Sequence, residues 1–421
     1  MSAEDRQMDR LKFVKIAGAG AGAAVAGSLA TAGAARAAES ISLDVAVIVP
    51  SGSRYPSMDD NLLAGLKHGF DRAHIGRGAV DANIVHESIV GGYRGALATA
   101  EALLDAAPDV VVAAVSAPVA ARLAPLFEER KKPLIVANVG AHVVLPSARS
   151  PYVLHNSLLY WQACFLSGQY AGRSGGLNRK AFVATAQADA GYDTVYAIRR
   201  GFESAGGTIV GEGVSHVDPR NSGLPALFDQ VRELGADVVF GLYSGAHAVE
   251  FMQASAGSRA QVLVGSLAVE DYLLPKIGNG AVGTVSSSSW TLSRKTKANQ
   301  AFTSSFASRF GRAADPFAAL GYDTAALIVE GVHRSARGLG IRRMVEALGG
   351  ATIDGPRGRL TVDAATNTVV ARLAVRSVDR SAKGPVNVDL GMAQPIPTFP
   401  DALAALATDP RSGYVNEYLC A

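Results

Sequence analysis

The sequence predicts an α/β protein of two Rossmann-like lobes, each built on a parallel sheet, joined by extended crossings. Three observations predict it. The chain has 421 residues, too many for one ordinary core and suited to two domains. From Ile41 onward, strand and helix patterns alternate with short connections. That alternation runs through the chain twice, with extended segments between the runs.

In the first run, Leu43–Val49 is a continuous apolar strand that stops at Pro50-Ser51-Gly52. Leu62, Leu63, Leu66 and Phe70 then recur at helical spacing across Asn61–His74. Asn83–Ile89 reads as a strand, Gly95–Ala106 as a helix, Asp109–Val115 as a β-branched strand, Pro118–Arg130 as a helix and Pro133–Ala137 as a fourth strand. The second run opens after Tyr152–Asn156. It places helices at Trp161–Gly172, Thr194–Ser204, Leu224–Leu234 and His247–Ala256, and strands at Ala181–Thr185, Thr208–Gly211, Ala236–Gly241 and Gln261–Val264. Gly283–Ser289 reads as a crossing strand. Helices follow at Lys297–Phe310, Phe317–His333 and Ile341–Leu348, and Thr361–Asp363 with Thr368–Val375 as a closing hairpin. Parallel sheets of this kind bind ligands beyond the carboxyl ends of their strands, and a cleft between lobes is a favoured small-molecule site.

The N-terminus reads as a secretory signal peptide over residues 1–37. Arg6, Arg10, Lys12 and Lys15 form a charged region, an Ala/Gly-rich apolar stretch starts at Ile16, and Ala35-Arg36-Ala37 is a small-x-small cleavage site. Arg10-Leu11-Lys12-Phe13 is similar to a twin-arginine signal with Leu11 in place of the second arginine, which leaves Sec and twin-arginine export both open. Gly18, Gly20 and Gly22 lack the preceding strand and following amphipathic helix that a dinucleotide site needs. A net charge of +3, with basic residues scattered singly, gives no footprint for nucleic acid. The two cysteines, Cys164 and Cys420, are compatible with one disulfide in an oxidising compartment or with two separate thiols. With histidines widely dispersed, they build no metal site. No cofactor is expected. Pro50-Ser51-Gly52-Ser53-Arg54 lacks phosphate-loop glycine spacing, and no Gly-x-Ser-x-Gly elbow occurs at a strand–helix turn. An enzyme is therefore not expected.

Two stretches stand out beyond the pattern. One is Ala318-Ala319-Leu320-Gly321-Tyr322-Asp323-Thr324-Ala325. The other is Asp354-Gly355-Pro356-Arg357-Gly358-Arg359-Leu360-Thr361-Val362-Asp363. They resemble an "A-x-x-x-Y-D-A" helix and a "G-P-T-G-x-x-x-F-D" turn of the type I periplasmic binding proteins, specifically the leucine/isoleucine/valine-binding family. Ser42–Pro50, Asp109–Ser116, Lys132–Ala141, Ala181–Gly191, Gly235–Tyr243 and Ala281–Ser288 carry the same resemblance in order. It spans roughly residues 41–380. The resemblance implies two lobes joined by a three-crossing hinge, a monomer, and capture of a solute in the periplasm for an inner-membrane ABC permease. On this reading the first lobe is 41–155 plus about 283–360, the second is 156–282 plus about 361–390, and 391–421 is a C-terminal tail.

The resemblance also implies a site. Its matching positions are Ser116 and Ala117, then Val139, Gly140, Ala141 and His142, then Ala190 to Tyr192, then Tyr243, Ser244 and Leu267. Ser116, where strand gives way to helix, either caps the helix or holds a ligand oxygen beside free N–H groups. Tyr243 either packs in the core or presents ring and hydroxyl to the ligand. The departures are informative. Ala141 stands where amino-acid binders carry a threonine, Leu267 where they carry the acidic partner of the ligand ammonium, and Ala190-Gly191 where they carry Tyr-Gly. Burying an ammonium without a carboxylate costs several kcal/mol. Glu270, three residues on, is the residue that would overturn this argument. Tyr160 and Trp161 near the hinge, Trp290 at the end of a crossing strand, and Arg54 and Tyr55 in the first loop add aromatic and basic character, each with core packing or solvation as the alternative. The expected ligand is a small apolar or aromatic solute without an amino-acid headgroup. A branched-chain amino acid or amide, or a receptor that signals instead of feeding a permease, are the alternatives.

Overall fold

The computed structural model describes residues 41–50, 55, 57–73, 80–89, 92–176, 178–186, 191–216, 222–336, 340–397, 399–410 and 412. The expected signal peptide, Arg54, Ala190 and Cys420 lie outside them. The first strand, β1 (Ile41–Pro50), is buried without interruption from Val45 to Pro50, as a parallel strand covered by helices on both faces must be. It is followed by α1 (Met58–Ala73), β2 (Val80–Ile89), α2 (Gly92–Asp105), β3 (Val110–Ala113), α3 (Ala117–Arg130), β4 (Leu134–Asn138) and β5 (Val153–Ser157). These strands pair in parallel in the order β2-β1-β3-β4-β5.

The chain then crosses to the second lobe. There it forms α4 (Tyr160–Arg173), β6 (Lys180–Ala186), α5 (Tyr192–Ser204), β7 (Thr208–Ser215), α6 (Leu224–Glu233), β8 (Val238–Leu242), α7 (Gly245–Ser255), β9 (Gln261–Val264), the short α8 (Leu274–Ile277) and β10 (Val285–Ser288). Their order, β7-β6-β8-β9-β10, repeats the winding of the first sheet. Each sheet reverses direction beside its first strand. In open α/β sheets, ligands bind at that point, beyond the carboxyl ends of the strands.

A second crossing returns the chain to α9 (Lys297–Phe310), α10 (Pro316–Ser335), α11 (Met344–Ala347), β11 (Thr352–Gly355), β12 (Gly358–Asp363) and β13 (Thr368–Ala371). These three strands extend the first sheet, with β13 parallel to β5. The third crossing, Arg372–Leu373, leads to β14 (Ala374–Ser381) and β15 (Gly384–Met392), which close the second sheet in antiparallel fashion. The expected lobe boundaries are corrected in two places. β10 belongs to the second lobe because it pairs with both β9 and β14. Residues 361–371 belong to the first because β12 and β13 continue its sheet. Ile341–Leu348 is a 3-10 turn followed by the one-turn α11 instead of one continuous helix.

The C-terminal segment is part of the second lobe. β15 reaches Met392, and α12 (Pro400–Thr408) buries Ala402 and Leu406 against the core. Phe399 packs on Phe165 of α4 with ring centroids 5.2 Å apart.

Helix α10 organises the first lobe. Asp315 caps it, accepting from the Ala318 N–H at 2.8 Å, and Pro316 fills its first position. It packs against α1 so closely that a Cβ on Gly321 would sit 2.2 Å from the Leu62 carbonyl oxygen. Two residues on, at Asp323, the two stretches singled out in the sequence meet. Arg357 Nε donates to Asp323 Oδ2 at 2.6 Å, and both side chains are wholly buried. The same guanidinium reaches Asn156 Oδ1 and the Ser157 carbonyl, both at 2.5 Å, where the chain leaves the first lobe. Burial pushes the Asp323 carboxyl up to about 6 against the opposing pull of Arg357.

Candidate functional site

The site is built from the loops beyond the strand ends of the two lobes. In the first lobe, Ser116 occupies the N-cap position of α3 in extended geometry, with φ −64° and ψ 157°. Its hydroxyl makes no cap bond, and among the described residues it has no partner although the residue is 4% exposed. Of the two readings of Ser116, capping is the one the geometry excludes. Pro118 removes one N–H from the first turn, so those of Ala117 and Val119 remain as the donors at this helix start.

Asn138, at the end of β4, sets the neighbouring loop. Its Nδ2 donates to the Val115 carbonyl at 2.7 Å, and its Oδ1 accepts from the Gly140 N–H at 2.9 Å. The Val139 and Gly140 carbonyls accept from the Tyr160 and Trp161 N–H groups at 3.0 and 2.8 Å. The cleft loop and the start of α4 are thus one hydrogen-bonded unit. Gly140 has φ +76°, and a Cβ there would lie 2.6 Å from Ser157 Oγ, so only glycine fits. Ala141 and His142 are partly exposed. His142 reaches the other lobe: a Cβ added to Gly191, the N-cap of α5, would lie 3.6 Å from His142 Nε2.

In the second lobe, Ser244 starts α7 and is buried, and Tyr192 packs its ring 6.2 Å from that of Tyr196. Each of α3, α5 and α7 follows the carboxyl end of a strand, and helix N–H groups at such starts favour a negatively charged group. From the loop after β9, Tyr272 carries its ring toward Tyr55, Ser57 and Asp315 of the first lobe. Burial, with the Glu270 and Asp315 carboxylates nearby, pushes its phenol well up.

Several side chains named from the sequence lie in the cores. Tyr243 is 1% exposed and stacks on Phe251 with centroids 4.5 Å apart. The Tyr160 hydroxyl lies under Gly265, where a Cβ would be 1.9 Å from it. Leu267 is buried in the 3-10 turn after β9. Tyr55 is buried against Phe317 at 5.9 Å. Trp290 is fully buried beside Phe302 and Phe306, and its indole N–H donates to Asn299 Oδ1 at 2.7 Å. The expectation that both tryptophans wall the cleft is corrected for Trp290, whose ring is fully buried in a first-lobe cluster and whose donor is taken by Asn299. Trp161 stacks on Phe165 at 6.1 Å, and its indole N–H is buried without a partner among the described residues.

Glu270 is resolved by geometry. Both carboxylate oxygens accept from Arg376, at 2.8 and 3.3 Å, and the pair is buried. Burial raises the carboxyl to about 7 while Arg376 pulls it down. It faces a guanidinium already, not an open ligand position. Cys164 is buried, and burial pushes its thiol up. The sequence pattern does not single out Asn138, Tyr272 or Arg376. A polar residue ending the apolar run Leu134–Asn138 is the available signal for the first; nothing local marks the other two. Among the described residues, no group of three or more His, Cys, Asp or Glu side chains is placed to hold a metal ion, and no helix is long and apolar enough to cross a membrane.

Two doubly wound lobes, three crossings and a cleft lined by strand-end loops define a two-lobed ligand-binding protein. A family model described as periplasmic binding protein matches residues 42–385, and the chain belongs to that family. It is 24% identical over 275 residues to Leu/Ile/Val-binding protein homolog 6 of Brucella melitensis, covering 63% of this chain and 69% of that one. A solute-binding protein of an ABC transporter from Rhodopseudomonas palustris BisB5, solved with 3,4-dihydroxybenzoic acid, superposes with a TM-score of 0.75. That match is 20% identical and covers 85% of this chain and 98% of the other. The closed leucine-, isoleucine-, valine-, threonine- and alanine-binding protein of Brucella ovis gives 0.74 at 14% identity, covering 85% and 96%.

Proposed function

We propose that this protein is the periplasmic receptor of an ABC importer and closes its two lobes on a small aromatic or apolar carboxylate that carries no ammonium group. The observation that carries this reading is Ser116. A buried hydroxyl without a partner among the described residues, at the head of a helix whose first N–H groups are free, suits a carboxylate oxygen. The other half of an amino-acid headgroup finds no match. Leu267, which the family resemblance sets at the acidic position of amino-acid binders, is apolar, and both Glu270 oxygens are held by Arg376. The fold alone does not choose between ligand classes, since the Rhodopseudomonas and Brucella ovis proteins share it. The aromatic acid in the first of these supports the reading. Ser116, Ala117, Gly140, Ala141, His142, Tyr192 and Ser244 are the residues assigned to ligand contact. Export would precede function, and an inner-membrane permease would receive the ligand.

Calorimetry and thermal-shift measurements with benzoate, hydroxybenzoates, hexanoate, leucine and valine test this. Binding of an aromatic or aliphatic carboxylate, with none of the amino acids, is the expected result. Stabilisation by leucine or valine alone would refute the ligand assignment.

A further inference from the structure

Arg376 is one of the largest fully buried side chains of the protein, and every donor it has is used. Nε donates to Ser286 Oγ at 2.9 Å. One terminal nitrogen donates to Glu270 Oε2 and to the Trp290 carbonyl, each at 3.3 Å. The other donates to Glu270 Oε1 at 2.8 Å and to the Ser266 carbonyl at 3.0 Å. Five N–H groups meeting five acceptors is the full capacity of a guanidinium.

The acceptors belong to three different segments: the turn after β9, β10 and the start of the second crossing. Ser266 and Glu270 bracket the loop after β9 that holds Leu267. Ser286 lies in β10, and Trp290 begins the second crossing, two residues beyond that strand. Arg376 itself stands in β14, just after the third crossing. The register of β14 against β15 shifts between Val375 and Arg376, the kind of irregularity that re-aims a side chain. Here the redirected side chain enters the interior.

We propose that Arg376 is a positioning residue for ligand capture, joining the buried Ser266–Glu270 turn after β9 to the second and third crossings so that turn and hinge move as one piece. The proposal rests on the reading of the cleft as a ligand site, though not on the chemical class of the ligand. Lysine cannot replace it, because a single ammonium with three donors has no planar fork to span these acceptors.

The test uses the full chain carrying Arg376→Lys, and the double replacement Glu270→Leu with Arg376→Met. The second removes both charges together and so avoids a lone buried carboxylate. Amide hydrogen exchange of the ligand-free protein is followed at residues 266–272 and 286–292, with β3 and β4 as internal reference. Benzoate affinity is measured by calorimetry. The expected result is exchange at least tenfold faster in both segments together, unchanged exchange in β3 and β4, and at least tenfold weaker binding of benzoate. Wild-type exchange in either segment, or a uniform increase across both lobes, overturns the proposal. If Arg376→Lys does not fold, the double variant decides by the same readout. If the wild-type protein ignores benzoate, the ligand assignment fails while the exchange measurement still decides the coupling.

Discussion

Replacing Asp323 with alanine is the sharpest perturbation of the first lobe. Asp323 and Arg357 are both wholly buried, and among the described residues the carboxylate supplies the only charge paired with this guanidinium. Its loss leaves Arg357 with the Asn156 side chain and the Ser157 carbonyl as acceptors, which are neutral. Breaking a buried pair by removing one partner costs about 3–5 kcal/mol. With roughly 2–4 °C of melting temperature per kcal/mol for a domain of this size, the loss is on the order of 10 °C. Scanning calorimetry is the assay, and the first-lobe transition is the one to shift. Replacing the pair together, Asp323→Leu with Arg357→Met, should recover most of the loss, because the desolvation cost of both charges disappears with them. A single Asp323→Ala variant within about 1 kcal/mol of wild type would refute the reasoning.

The other predictions concern pH, the cleft and the core. Glu270 is raised to about 7 when folded, so between its unfolded value and that point the folded state holds the proton more tightly. Its contribution to stability is therefore full at low pH and is lost as pH rises through this window; Asp323, raised to about 6, acts in the same sense. Melting temperatures at pH 5 and pH 8 should differ less in Glu270→Gln than in wild type. Ser116→Ala should leave the melting temperature nearly unchanged, because no cap bond is lost. It should weaken benzoate binding by roughly 1.5–3 kcal/mol, the worth of a hydrogen bond to a charged group, as read by calorimetry. Trp290→Ala should cost about 3–5 kcal/mol of stability and leave the ranking of ligands unchanged in a thermal-shift panel. A changed ranking would put its indole back at the cleft.

Local pattern determined most of the secondary structure. Leu43–Val49 and Asp109–Val115 are apolar, β-branched runs that only a covered parallel strand accommodates, and the helical spacing of Leu62, Leu66 and Phe70 fixes the buried face of α1. The repeated alternation determined the two lobes, and Ala318–Ala325 with Asp354–Asp363 carried the family. The same local reading could not say which sheet a short strand joins. β10 and β13 are four residues each, and only their hydrogen-bonded neighbours assign them to a lobe.

The site divides in the same way. That α3 starts at Ser116 was legible because a strand-to-helix turn is a local feature, whereas Gly140 was named only through the family resemblance. Trp290 and Tyr243 were ambiguous in sequence, since an aromatic side chain after a strand can turn to the core or the cleft. The neighbours that decide it, Asn299 and Phe251, come from other elements. Glu270 is the clearest case. Its sequence position left open a free carboxylate for an ammonium, and an arginine 106 residues away closes that option by taking both oxygens. Charge pairing over such separations is decided by the packing of β14 against the cleft loop, which no pattern of neighbouring residues records.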